Sequence, residues 1–161
     1  MTTSALTRIA TVGLTGLALT GIAVYPQLSA RLTGDEITLR VAPVDPIDPF
    51  RGAYVDLQYP DLNRLGGRRD DGLEDGRRGD LFITLRQEGD VWVADGRSRT
   101  RPDSGPYLAC TDQYWEVRCG IESWFLPQED AAAMQASLGD GALATVKVDS
   151  RGHAAIVAIE G

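Results

Sequence analysis

The chain has a single lysine, Lys147, a single histidine, His153, and only two cysteines in 161 residues. That scarcity narrows the chemistry. A tetrahedral zinc site draws on several Cys and His ligands, which Cys110, Cys119 and the distant His153 do not supply, so neither a metal nor a cofactor is expected. A Ser–Lys dyad is confined to Lys147 with Ser104, Ser123, Ser137 or Ser150, and none of these serines has an activating context. No triad pattern accompanies His153, which reads as a surface residue beyond a turn. Carboxylates are plentiful, so an envelope hydrolase using them or the lone lysine stands as the rival to a binding function, although abundance assigns no catalytic pair. A clustered basic surface is also missing. The net charge is −7 and the arginines are interleaved with acids, which excludes nucleic acid as a partner.

What is present begins with an uncharged run, IATVGLTGLALTGIAVY, from Ile9 to Tyr25, preceded by the free amine and Arg8. It sits at the lower length limit for a membrane span, about 17 residues. The small-residue rule for signal cleavage is poorly met: Leu28-Ser29-Ala30 begins with a large side chain, and Gly21-Ile22-Ala23 lies inside the apolar run. An uncleaved anchor and a cleaved signal segment are the two leading readings, ahead of a buried helix of a soluble domain, and either leading one exports the rest of the chain. Arg31 and Arg40 weaken the positive-inside argument, so orientation leans on the cysteines. The expected organisation is an anchor or signal segment over 1–30 and an extracytoplasmic domain over 31–161.

Period-two alternation marks the strands of that domain. Ile37, Leu39 and Val41 make one, Val55, Leu57 and Tyr59 a second, and Leu81, Ile83 and Leu85 a third. Gly89-Asp90 then turns the chain into Val91 and Val93. In YLACTDQYWEVRCGI, Leu108 and Cys110 share a parity, as do Val117, Cys119 and Ile121. Two antiparallel arms would bring both sulfurs to one apolar face, which predicts a disulfide in an exported protein. Ala144, Val146 and Val148, then Ala155, Val157 and Ile159, form a last hairpin whose final strand, apolar on both faces, is expected at the sheet centre. Pro127 to Leu138 reads as the one soluble helix, with Glu129 and Asp130 at its positive end and Gly139 as its stop. Arg64 to Asp80, charged and glycine-rich without periodicity, reads as a mobile loop that lacks the calcium-loop spacing. The fold class is therefore α+β and mainly β: an N-terminal transmembrane helix followed by an antiparallel-rich domain.

The segment VAPVDPIDPFRGAYVDLQY carries the densest pattern. Pro43, Pro46 and Pro49 recur at the period of a polyproline II helix, about three residues per turn, so Asp45, Asp48 and Arg51 share one row. Gly52 permits a bend before a strand in which Leu57 and Tyr59 face one way and Tyr54, Asp56 and Gln58 the other. These residues, together with Gly120-Ile121-Glu122-Ser123-Trp124-Phe125-Leu126-Pro127, resemble the two hallmarks of the GDYXXLXY protein family, and the likeness extends over nearly all of Ile37 to Ile159. The resemblance implies a membrane-anchored protein, with a polytopic membrane protein as its natural partner, and it implies no reaction. The family's acidic residue is Ala53 here, so a role needing that carboxylate is lost or passes to Asp56 or Asp48. The motif admits two readings. In one, Arg51 ties Asp48 or Glu122 to the sheet, and Leu57 and Tyr59 are core. In the other, Arg51, Tyr54 and Glu122 form a polar surface that meets a partner.

Overall fold

The alternating segments pair as antiparallel strands in two sheets. This computed structural model describes residues 2–43, 54–63, 78–113, 116–125 and 141–160. A long helix, α1 (Thr2–Thr33), leads into β1 (Asp35–Pro43), β2 (Tyr54–Gln58) and a single helical turn, α2 (Pro60–Asn63). There follow β3 (Gly79–Glu88), β4 (Val91–Ser98), β5 (Tyr107–Asp112), β6 (Val117–Arg118), β7 (Ser123–Phe125), β8 (Ala142–Val148) and β9 (Ala154–Glu160). One sheet runs β7-β2-β1-β8-β9 and the other β4-β3-β5-β6.

A shared apolar cluster joins the sheets. Ile37, Leu39, Val41, Leu57, Ala144 and Val146 come from the first, and Leu81, Ile83, Leu108 and Cys110 from the second. Leu39, Leu81, Ile83, Leu108 and Val146 are at most 2% exposed, so the alternation read from sequence is the alternation of burial. Gly89, with a positive φ of 66°, makes the tight β3–β4 turn that Gly89-Asp90 predicted. Cys110 and Cys119 are joined in a disulfide, as their shared apolar parity implied, and it ties β5 to the chain just beyond β6.

Two expectations change. The last strand, β9, is an edge strand and not a central one. Its apolarity on both faces has another cause: α1 packs against β8 and β9, so Ala154 and Ile156 enter the core while Ala155 is fully buried on the opposite side. A register shift between Thr145 and Val146 leaves Val157 unpaired, which breaks the expected Ala155, Val157 and Ile159 face. The span of 64–80 read as a loop also gives up its end to β3, which starts at Gly79. The helix expected over Pro127 to Leu138 lies outside the described residues, as does 64–77; the short helix that is described is α2.

Helix α1 extends past the apolar run and through Pro26. Thr11, Thr15 and Thr20 each donate their hydroxyl to the carbonyl four residues earlier, so the polar side chains of the run are satisfied within the helix, as a lipid setting demands. Ile9, Val12, Leu14, Leu17, Leu19, Ile22 and Val24 are all exposed. The helix is long and apolar enough to cross a membrane. Its last two turns belong to the domain: Ala30 is fully buried, and the close approach of Gly34 to Val148, whose amide lies 2.8 Å from where a Cβ would stand, permits the turn into β1.

Candidate functional site: the paired motifs and the helix junction

The two motifs, some sixty residues apart in sequence, are neighbours in the sheet. Antiparallel pairing sets Tyr54 opposite Phe125, Val55 opposite Trp124 and Asp56 opposite Ser123. Leu57 N donates to Glu122 O at 2.8 Å, and the buried Tyr59 hydroxyl donates to Ile121 O at 2.7 Å. Leu57 and Tyr59 are thus core residues, whereas Asp56 is exposed and accepts a long bond of 3.4 Å from Ser123 Oγ. Burial, and after it the negative charge of Glu122, pushes the Tyr59 phenol far above its ordinary range, so it serves as a permanent donor. Tyr59→Phe strands the Ile121 carbonyl in the core and is expected to cost about 1–2 kcal/mol, measurable as a lower midpoint in urea.

Glu122 is turned inward. Its carboxylate accepts from the amides of Cys119 and of Gly120, the latter at 3.0 Å, and so holds the turn after the disulfide, where Gly120 takes a positive φ of 83°. From the other side, Gln27 of α1 donates to Gly120 O at 3.0 Å. The structure therefore brings Asp56, Leu57, Tyr59, Glu122 and Cys119 together with the end of the helix. Asp45, Asp48, Arg51 and Gly52 lie outside the described residues, and of Tyr54 only the backbone pairing is described.

Two concave surfaces flank the paired motifs. A cavity of about 320 Å³ is lined by Asp56, Tyr59, Arg97, Arg118 and Glu122 among others. A wider groove of about 590 Å³ runs between α1 and β7, past Gln27, Arg31, Trp124 and Phe125. Phe125 is 76% exposed, and the Trp124 indole N–H is buried without a hydrogen-bond partner among the described residues. Among the described residues no group of three or more His, Cys, Asp or Glu side chains could hold a metal ion. Lys147 forms a cross-strand pair with Glu36 at 3.7 Å.

Sequence reasoning missed the second polar centre, at the β8–β9 turn. The Asp149 carboxylate accepts from Ser29 Oγ at 2.5 Å, from the amides of Arg151 (2.8 Å) and His153 (3.0 Å), and faces His153 Nδ1 at 3.0 Å. Burial raises its pKa, but the hydrogen bonds from Ser29, Arg151 and His153 together outweigh burial and hold the carboxyl below its ordinary range. Serine, aspartate and histidine meet here, yet the carboxylate stands between the other two. The hydroxyl donates to Asp149 and not to the imidazole, so this is no nucleophile–base arrangement. It is a clasp between helix and sheet. The available signal was Asp149 at the start of a turn closing on Gly152, the place where a carboxylate caps backbone amides. Asp61 was missed likewise: buried at the start of α2, it pairs with Arg40 at 2.8 Å.

A sequence model of the GDYXXLXY protein family matches residues 16–159, which takes in the second half of the apolar run, both motifs and the final hairpin. No curated protein and no solved structure matches the chain.

Proposed function

This chain belongs to the GDYXXLXY protein family, and from that premise we propose that it is a membrane-anchored extracytoplasmic docking module whose contact face is the β7 edge beside α1. The observation that carries the reading is the paired motif itself. It lies at the end of a sheet, with Ser123 and Phe125 outward, next to a groove walled by the helix that leads to the membrane. A partner reaching that groove meets the helix just beyond its apolar run, which suits a polytopic membrane protein. Retention of the anchor is supported against cleavage after Ala30 by Gln27, Ser29 and Ala30, since that cut would remove contacts that the folded domain uses, whereas a cut after Ala23 would leave them in place. The disulfide supports an oxidising compartment for the domain.

The test places a photo-crosslinking residue at Ser123 and, as a control, at Asp90 on the far β3–β4 turn, in intact cells. One membrane-protein adduct formed from Ser123 and absent from Asp90 is the expected result. No adduct from Ser123, or the same adducts from both sites, removes the docking reading. The intact mass of the membrane-extracted chain checks the anchor, since loss of the residues before Tyr25 would contradict it.

A further inference from the structure

The domain first touches the helix where the uncharged run ends. Arg151 Nη1 donates to the Tyr25 hydroxyl at 2.9 Å, the Arg151 guanidinium lies 5.5 Å from the centroid of the Tyr25 ring, and His153 meets the same ring edge-on at 6.4 Å. As a helix, Ile9 to Tyr25 spans about 25 Å, less than the roughly 30 Å of a hydrocarbon core. A short span leaves no slack, so the bilayer surface is drawn to the level of Tyr25 and of the turn resting on it. Tyrosine at that level is the usual interfacial residue.

A second arginine belongs to this turn. Arg101 Nε donates to the Tyr107 hydroxyl at 2.5 Å, and Tyr107 donates to Ser150 O at 3.1 Å. Four other arginines are paired with carboxylates, Arg40 with Asp61, Arg86 with Asp95, Arg99 with Asp112 and Arg118 with Glu116, while Arg97 donates to the Leu62 carbonyl. Among the described residues neither Arg101 nor Arg151 has a carboxylate partner. The acid of the turn itself, Asp149, is buried and directed at Ser29 and His153. A protein of net charge −7 thus presents two uncompensated guanidinium groups at the one turn held against the end of its membrane helix.

We propose that Arg101 and Arg151 form a seat for the phosphate of an anionic phospholipid headgroup beside Tyr25. The guanidinium fork matches phosphate oxygens, and the Arg151 contact with Tyr25 keeps its charge at the membrane surface. A lipid bound there has its headgroup on the turn and its chains along the exposed Ile22, one helical turn before Tyr25 on the same side of the helix. The inference rests on the reading of α1 as a retained anchor.

The test uses the full chain in nanodiscs of phosphatidylcholine alone or of an equal mixture with phosphatidylglycerol, with lipids retained on the released protein counted by native mass spectrometry. Phosphatidylglycerol should be retained over phosphatidylcholine by roughly thirtyfold, the scale set by two arginines at an anionic surface. Arg101→Gln with Arg151→Gln should abolish the preference, and Arg86→Gln should not. Equal retention of the two lipids by the native chain overturns the seat without reference to any variant. Displacement of the lipid by millimolar inorganic phosphate overturns the lipid as the source. An intact, membrane-held chain with no lipid preference removes only this inference, whereas a chain lacking the residues before Tyr25 removes the anchor reading as well.

Discussion

Asp149→Ala is expected to lower stability by about 3–4 kcal/mol, more than the loss of a single buried hydrogen bond, because it strands several donors at once. The amides of Arg151 and His153 lose their acceptor inside the turn, and Ser29 loses the bond that clasps α1 to the sheet. The midpoint of thermal unfolding should fall by on the order of 10 °C. Hydrogen exchange should quicken at Arg151 and His153 before the rest of β8 and β9. An unchanged midpoint would show that the clasp is incidental. Acid adds a second signature. A carboxyl whose folded pKa is depressed contributes stability that is fully present above its unfolded value, about 3.9, and that is lost as pH falls through the folded value. The native chain should therefore lose stability steeply below about pH 4, and Asp149→Asn, which keeps an acceptor but not the charge, should show a shallower acid limb.

Replacing both cysteines, Cys110→Ser with Cys119→Ser, is expected to cost about 2–3 kcal/mol, the range for a disulfide closing a short loop. The effect reaches further than the bond. Cys119 N is one of the two amides held by Glu122, and the Glu122 carbonyl in turn accepts from Leu57 of the first motif. Freeing Cys119 loosens the turn that sets Glu122, and through it the pairing of β2 with β7. The amides of Leu57 and Gly120 should exchange faster than those of β8. Loss of protection confined to β5 and β6 would mean that the motif pairing stands without the disulfide.

The strands were legible in the sequence wherever one face is buried and the other wet. Ile37, Leu39 and Val41, or Leu81, Ile83 and Leu85, announce themselves because burial alternates at the same period as the side chains. The disulfide was legible for a related reason, since two cysteines of apolar parity in a hairpin meet on one face. Strand β9 was not, because periodicity reports how many faces are covered and not what covers them. Its second cover is a helix from the far end of the chain. Glu122 was recognised as a motif residue, yet its use as a ligand for the Cys119 and Gly120 amides depends on a turn geometry with no sequence period.

By itself the sequence determined the apolar N-terminal helix, the mainly β domain, the disulfide pair and the identity of the two motifs. These come from local patterns of hydrophobicity and from residue types whose chemistry leaves few choices. Only the tertiary structure decided that the motifs lie side by side, that α1 runs unbroken into the domain, and that Asp149, Ser29 and His153 form the clasp between them. Those are contacts between residues as many as 120 positions apart, and the free energy that selects them comes from satisfying buried polar groups with whatever partner the packed sheets bring near.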